Sequence, residues 1–269
     1  MKAQFSWSNV RTNTPMKQQL EDLGYYIYRD KVGNSWLNYL RASVGKAFRE
    51  HKRIQEKNNS EVTAGGVALH AIVTVPELVD FLGELKNLGI LQDIEENFFG
   101  SKFILNSFSA LNNLPDESSF SAEIHRDIRF HSGKANLMLN CLVMLDDFTE
   151  ENGSTWILPR SHLRKEKPDN EQFFKDARQA TGKAGDILVF NSNMFHCAGK
   201  NTTDKGRRAL PIVFCKSSMK QLLDYPRAFG SKEFSPEIKQ LLGYDSRVPS
   251  SLDEWYQPKE NRFYKPNQD

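Results

Sequence analysis

Short apolar runs separated by turn-forming residues dominate the middle of this chain. They cover residues 137–145, 154–158, 185–190 and 207–215. Each run is five to nine residues long, and apolar runs of about this length between turn signals are typical of buried strands. The sequence therefore predicts a core that is rich in β-sheet.

Three residues around these runs have the side chains of a metal site. His125 and Asp127 are one residue apart, so both point to the same side if they lie on a strand. His196 follows the run at 185–190 and completes the set. Two imidazoles and one carboxylate, with coordination positions left open, form the ligand set of non-haem Fe(II) oxygenases. The sequence therefore predicts that these three residues are the metal ligands and the catalytic centre, with open positions for a co-substrate and O2.

Further residues match a known family in the same order along the chain. Besides the three metal candidates they are Asn152-Gly153, Leu158-Pro159-Arg160-Ser161-His162, Gly185-Asp186-Ile187-Leu188-Val189-Phe190, Gly199, Asn201 and Arg207. With this series the chain resembles the phytanoyl-CoA dioxygenase family of Fe(II)/2-oxoglutarate-dependent oxygenases. The ordered series is far more specific than the His-x-Asp pair alone.

The resemblance implies a mainly β fold with flanking α-helices. Its core would be a double-stranded β-helix, also called a jelly-roll or cupin-like barrel, covering residues 100–225. N-terminal supporting helices at 10–99 would precede the core and an extension at 230–269 would follow it, all in a single domain spanning 1–269. The implied activity uses Fe(II), 2-oxoglutarate and O2 to hydroxylate a small-molecule metabolite, while 2-oxoglutarate is converted to succinate and CO2.

The same resemblance implies an arginine that anchors 2-oxoglutarate. The family spacing of eleven residues after His196 selects Arg207, and strand alternation would then turn Arg208 outward. A guanidinium suits this task because its planar fork donates two parallel hydrogen bonds to a carboxylate. The choice between Arg207 and Arg208 depends on the strand register, which the sequence leaves open.

Three further residues are candidate binding residues. Asn106 and Asn140 are expected at the co-substrate pocket, although buried asparagines commonly only satisfy backbone groups. If Asp127 points into the barrel, Arg129 does too, and it would then bind a carboxylate or phosphate of the substrate. An arginine at the barrel mouth that touches no substrate is the alternative interpretation of Arg129.

Two positions depart from the family pattern. Family members usually have glycine where this chain has Arg160, which places a cation near the barrel. Many relatives have a hydroxyl residue where this chain has Ala198, so a hydrogen bond to 2-oxoglutarate has to come from elsewhere. Halogenating relatives lack the carboxylate ligand, so the presence of Asp127 favours hydroxylation over halogenation.

Composition narrows the partners and the location. With 36 basic and 34 acidic residues the net charge is +2, which gives no broad attraction to nucleic acid. No apolar run approaches the roughly 20 residues that cross a bilayer, so we expect no membrane partner and a cytoplasmic location. Cys141, Cys197 and Cys215 are odd in number and lie in apolar surroundings, which predicts reduced packing residues. The extension at 230–269 is a candidate surface for a homodimer.

Two other functional classes remain open on the sequence. A cupin-like protein could bind another metal without 2-oxoglutarate turnover, and Arg207 would then be incidental. A non-catalytic binding barrel would keep the fold without turnover. The substrate stays undefined, because fold alone does not choose among small molecules.

Overall fold

The computed structural model of the protein describes residues 15–60, 66–115 and 122–262. Within these ranges the α-helices are α1 (Met16–Asp22), α2 (Asn34–Lys57), α3 (Ala71–Thr74), α4 (Glu77–Asn87), α5 (Ile90–Ile94), α6 (Asn170–Asp176), α7 (Tyr225–Phe229), α8 (Pro236–Leu241) and α9 (Leu252–Trp255). The strands are β1 (Tyr25–Tyr28), β2 (Val67–Ala68), β3 (Phe103–Phe108), β4 (Ala110–Asn113), β5 (Met138–Met144), β6 (Trp156–Ile157), β7 (Arg178–Gln179), β8 (Ile187–Asn191), β9 (His196–Cys197) and β10 (Arg207–Lys216). In these ranges no helix combines the length and apolar character needed to cross a bilayer.

Seven strands form one antiparallel sheet in the order β1-β8-β5-β10-β4-β2, with β3 also paired to β10. Its central strands β8, β5 and β10 are three of the predicted apolar runs, and each begins and ends within two residues of the prediction. Every residue of β5 is buried. Both faces of the sheet are therefore covered, which explains why this run is continuously apolar rather than alternating.

A second sheet of three strands, in the order β7-β6-β9, faces the first. The run predicted at 154–158 contributes only the two-residue strand β6. Ile157 of β6 belongs to the same buried cluster as Leu142, Leu188 and Ala209 of the large sheet. The inner faces of the two sheets therefore pack against each other. His196 lies on β9 of the smaller sheet and Arg207 on β10 of the larger one.

The outer face of the large sheet is covered by helices. The sequence predicts helical segments at 36–48 and 76–85; the first lies inside the longer α2, and the second overlaps α4, which begins one residue later and ends two residues later. Leu40 of α2 and Phe81 of α4 share one buried cluster with Val143 of β5. Helices that pack in this way support the sheet from outside and leave its inner face to the site.

The C-terminal extension begins by packing on the body of the protein. Leu241 and Leu242 are buried in the outer cluster, and Gln240 Nε2 donates to the Phe103 carbonyl at 3.0 Å. Part of the extension thus covers the sheet. Pairing with another chain through residues 230–269 stays a prediction.

The three cysteines are buried free thiols. Cys197 packs in a small cluster with Leu158 and Phe173, on the side of β9 away from the His196 side chain. Burial raises the pKa of the Cys141 thiol to about 12, so it stays protonated and unreactive at neutral pH. These thiols are packing residues, as the sequence predicted.

A buried hydrogen-bond chain joins the helical layer to β3. The Phe108 N–H donates to Tyr225 Oη at 3.2 Å, and His70 Nδ1 lies 2.9 Å from the same oxygen. Tyr225 is fully buried, so its proton has to go to His70 Nδ1. This arrangement requires a neutral His70. Burial, aided by the charge of His51, lowers the pKa of His70 below 6.5.

We expect the free energy of unfolding to fall as pH decreases through 6.5. The pKa of His70 is lower in the folded state than in the unfolded state, so the unfolded chain binds a proton first as the pH falls. This proton binding favours unfolding. Denaturant unfolding at pH 7.5 and at progressively lower pH measures this loss. His70→Asn keeps an acceptor toward Tyr225 and suits the left-handed φ of 57° at this position, so its stability should depend less on pH. An unchanged pH dependence in this variant would contradict the assignment.

Candidate metal centre

Two of the metal candidates are held opposite each other by backbone pairing. The His125 N–H donates to the His196 carbonyl at 3.0 Å, and the His196 N–H donates back at 2.9 Å. This antiparallel bridge places the two imidazole rings 4.3 Å apart, centroid to centroid. Residues 71 positions apart in sequence are thus brought side by side by one pair of hydrogen bonds.

Asp127 completes the cluster, although the prediction of a strand through residues 125–127 is wrong. His125 forms only the isolated bridge to His196, and Asp127 lies in a bend. Asp127 Oδ1 is 3.5 Å from His125 Nε2 and Oδ2 is 3.6 Å from His196 Nε2. The chain bends at Asp127 instead of running straight past the carboxylate.

The three potential ligand atoms all lie within 4.8 Å of one another. His125 Nδ1 is 2.8 Å from the Glu123 carbonyl, and His196 Nδ1 is 3.1 Å from the Met194 carbonyl. A carbonyl can only accept, so each Nδ1 carries the proton and each Nε2 presents its lone pair to the cluster. Backbone carbonyls that fix the ring orientation in this way are a regular feature of metal-ligating histidines.

The electrostatics of the cluster also suit a cation. Burial raises the pKa of Asp127, but His196 and His125 outweigh it, and the pKa lies below its ordinary value. Burial lowers the pKa of His196 more than the Asp127 carboxylate raises it. For His125, burial again lowers the pKa, but the Asp127 carboxylate raises it by more, so the pKa lies above its ordinary value. Asp127 is therefore ionised and His196 neutral, which are the forms that ligate metals.

Ser161 supports β9 from the neighbouring turn. Its Oγ donates to the Leu158 carbonyl at 2.6 Å and accepts from the Phe195 N–H at 2.8 Å. The residue before His196 is thereby fixed to the turn at 159–163. Ser161 belongs to the family-like motif at residues 158–162 of the sequence, but only the structure shows this contact.

The two candidate asparagines have different surroundings. Asn140 donates from Nδ2 to Ser192 Oγ at 3.1 Å and also hydrogen-bonds the Asp127 carboxylate. Asn106 donates to the Lys220 carbonyl at 3.2 Å and ties β3 to the segment after β10. Asn140 thus belongs to the metal centre, together with Ser192, which no local sequence signal marks. A cofactor contact for Asn106 or Asn140 stays a prediction.

We expect Asn140→Ala to weaken Fe(II) binding by about tenfold, the lower end of the effect seen when a partner of a metal ligand is removed. The reason is that Asp127 loses a donor that fixes its carboxylate. Anaerobic calorimetric titration with Fe(II) measures the affinity. Asn106→Ala removes an equally buried amide that does not contact Asp127, so it should leave the affinity unchanged. Equal losses in both variants would exclude a specific role for Asn140.

Arg207 lies at the start of β10 and is buried. Its Nε donates to the Asn152 carbonyl at 3.2 Å and its Nη2 to the Gly153 carbonyl at 2.9 Å, while the guanidinium stacks 3.9 Å from the centroid of the Phe148 ring. Burial lowers the pKa of Arg207 to about 9, so it remains charged at neutral pH. In the described part of the chain its Nη1 has no hydrogen-bond partner and no carboxylate lies within 4.0 Å.

Arg208 is engaged elsewhere. Its Nε and Nη2 bind both oxygens of Asp146 at 2.9 and 2.8 Å, and Arg41 lies 3.3 Å from the same carboxylate. Arg207 shares its side of β10 with Ala209, which belongs to the inner cluster. The register therefore turns Arg207 inward and leaves Arg208 paired on the opposite face.

Arg129 is exposed and lies in the same run of bends as Asp127. The alternation argument that turned it into the barrel does not apply to this irregular backbone. In the described ranges its guanidinium has no ion-pair partner. A role for Arg129 in substrate binding stays a prediction, and it now depends on charge rather than on strand parity.

Comparison with known proteins gives a single answer on family. The sequence profile of the family described as phytanoyl-CoA dioxygenase (PhyH) matches residues 21–209. The uncharacterized protein Rv1501 of Mycobacterium tuberculosis is 31% identical over 96% of this chain and 98% of its own length. The dioxygenase olcK of Penicillium canescens is 28% identical over 68% of this chain and 64% of its own length.

Solved structures share the fold. EctD from S. alaskensis, solved with 2-oxoglutarate and 5-hydroxyectoine, has a TM-score of 0.60 at 16% identity, covering 78% of each chain. SnoK, a non-haem α-ketoglutarate-dependent carbocyclase from nogalamycin biosynthesis, has a TM-score of 0.58 at 20% identity, covering 76% of this chain and 84% of its own. At such identities the likeness concerns the fold alone.

Proposed function

Because the chain belongs to the phytanoyl-CoA dioxygenase (PhyH) family, we propose that it is an Fe(II)- and 2-oxoglutarate-dependent dioxygenase that hydroxylates a small-molecule metabolite. The convergence of His125, Asp127 and His196 within 4.8 Å carries the proposal. The family and the relatives named as dioxygenases support a non-haem oxygenase. The fold agrees, and we take its two facing sheets as the halves of a double-stranded β-helix.

The donor set fits ferrous iron. His125, Asp127 and His196 would hold the ion through two imidazole nitrogens and one carboxylate oxygen, the ligand set of non-haem Fe(II) oxygenases, which bind a co-substrate and O2 at their remaining positions. Bound Fe(II) supplies the activation of O2 that is coupled to oxidative decarboxylation of 2-oxoglutarate. Glu123 and Met194 hold the two rings through their carbonyls, and Asn140 holds the carboxylate.

Arg207 fits the distal carboxylate of 2-oxoglutarate. A buried cation without a carboxylate partner is costly, and binding an acid removes that cost. The two N–H groups of Nη1 and the second N–H of Nη2 are left for this purpose, while Nε and the other N–H of Nη2 are held by backbone carbonyls. Phe148 and Ala209 exclude water around the guanidinium, which strengthens a charge-assisted hydrogen bond there.

The decisive experiment is an anaerobic titration of the metal-free protein with Fe(II) and then 2-oxoglutarate. A visible charge-transfer band of the chelated 2-oxo acid is expected, and His196→Ala should abolish it. Iron binding without the band would favour the cupin-like alternative, in which 2-oxoglutarate is not used. Binding of neither would favour a non-catalytic barrel. When the band forms, succinate release in air screens for the substrate.

A further inference from the structure

We propose that the substrate carries an anionic group, a carboxylate or a phosphate, which cations of the segments 122–134 and 159–169 bind at the entrance to the metal centre. This inference rests on the proposed function. It goes beyond it by naming the chemical class of the substrate.

The metal centre opens toward one side. The side chains of His125 and Asp127 are 34% and 33% exposed, whereas that of His196 is 9% exposed. Solvent therefore reaches the cluster past the segment that carries His125 and Asp127. Any substrate that approaches the open coordination positions passes the same surface.

The segment 159–169 lies beside the segment 122–134. Arg126 Nη2 donates to the Arg164 carbonyl at 2.8 Å, and His131 Nε2 lies 3.3 Å from the His162 carbonyl. The first segment itself carries His125 and Asp127, so both segments lie beside the centre, and we call them together the basic rim.

The basic rim carries more than the whole net charge of the protein. Its 24 residues contain seven Lys and Arg against four Asp and Glu, a net charge of +3, while the full chain of 269 residues carries +2. One of the four acids is Asp127, which faces the histidines. Another is Asp169, which caps α6 by accepting from the Gln172 N–H. Few carboxylates remain to neutralise the cations.

Among the residues that the structure describes, the rim cations also form no ion pairs. In the described ranges none of the seven has a carboxylate oxygen within 4.0 Å. Six of them are exposed, and the seventh, Arg126, stacks 4.0 Å from the centroid of the Phe195 ring. A cluster of unpaired like charges costs free energy that an incoming anion recovers.

One of these cations occupies a position that favours glycine. Arg160 has φ 65° and ψ 0°, a left-handed conformation that is unfavourable for an L-residue other than glycine. Its backbone N–H is fixed to the Leu23 carbonyl at 2.9 Å, so the turn imposes this conformation. Strained residues of this kind cluster at functional sites. A charged residue kept in this unfavourable backbone conformation is consistent with a binding role for the basic rim.

The charge of the entrance is tested with two chelators that remove Fe(II) from the loaded protein. Bathophenanthroline disulfonate is an anion and 1,10-phenanthroline is neutral. Raising the ionic strength from about 0.01 M to about 0.15 M shortens the screening length. This change should slow removal by the anionic chelator by about tenfold, as for steered association, and leave the neutral chelator nearly unaffected. Rates are compared where they are proportional to chelator concentration.

The variant R129Q/R160Q/K167Q should lose the salt dependence, while K52Q/R53Q/K57Q on the outer helix α2 should keep it. The substrate screen then uses matched pairs, each carboxylic acid with its primary amide and each phosphate monoester with its parent alcohol. Stimulation of succinate release by an acid or a phosphate ester, but not by its neutral partner, is the expected result. Equal salt dependence for both chelators, or the strongest response from a neutral compound, would overturn the inference. Failure of the protein to load Fe(II) would instead count against the proposed function.

Discussion

Asp127→Ala is expected to lower the affinity for Fe(II) by more than about 100-fold, beyond the roughly 10- to 100-fold effect of losing a partner of a ligand. Asp127 is the only anion among the three ligands, and both imidazole Nε2 atoms face its carboxylate. Without it, two neutral imidazoles have to hold a dication. Succinate production should disappear together with the charge-transfer band.

Calorimetric titration with Fe(II) under anaerobic conditions measures this loss directly. Glu123→Ala is the matched control, because it removes an exposed carboxylate from the same segment and keeps the backbone carbonyl that orients His125. We expect the control to bind iron as the native protein does. Undiminished iron binding by Asp127→Ala would remove this residue from the metal centre and with it the assignment of the ligand set.

The sequence predicted the parts of the fold that are decided locally. β5 and β8 are apolar runs buried on both faces, and β10 is largely apolar with four partly buried residues, so composition alone marks them. The strands β6 and β9 have two residues each and exist only because distant segments pair. No local pattern marks strands this short, and the run at 154–158 was therefore predicted too long.

In the candidate site too, local sequence predicts some features and tertiary structure decides the others. The residue types of the metal centre were readable, because His125, Asp127 and His196 are an unusual set in a family-like order. Their geometry was not, since Asp127 reaches the centre from a bend rather than from a strand. No sequence signal identifies Ser192 and Ser161 as residues that support the site, because each acts through one long-range hydrogen bond. Such contacts depend on tertiary structure and leave no periodic signal.

Arg207→Ala is expected to weaken 2-oxoglutarate binding by about 10- to 100-fold and to leave Fe(II) affinity nearly unchanged. A hydrogen bond to a charged group contributes about 1.5–3 kcal/mol, and the buried guanidinium has no other acid to bind in the described part of the chain. Arg207→Lys keeps a charge but not the planar fork, so its loss should be intermediate. Anaerobic calorimetric titration of the metal-free protein with Fe(II) gives the first affinity, and titration of the iron-loaded protein with 2-oxoglutarate, monitored by the charge-transfer band, gives the second.

Arg208→Ala is the matched control, because Arg208 is the neighbouring arginine and is bound to Asp146 on the other face of β10. Its removal should lower the free energy of unfolding without changing the 2-oxoglutarate affinity. The two variants therefore separate an anchor from a structural ion pair. If Arg208→Ala weakened 2-oxoglutarate binding and Arg207→Ala did not, the assignment of the anchor would be wrong. If neither variant weakened 2-oxoglutarate binding, Arg207 would be incidental. The cupin-like alternative would then explain the metal centre better than a 2-oxoglutarate oxygenase does.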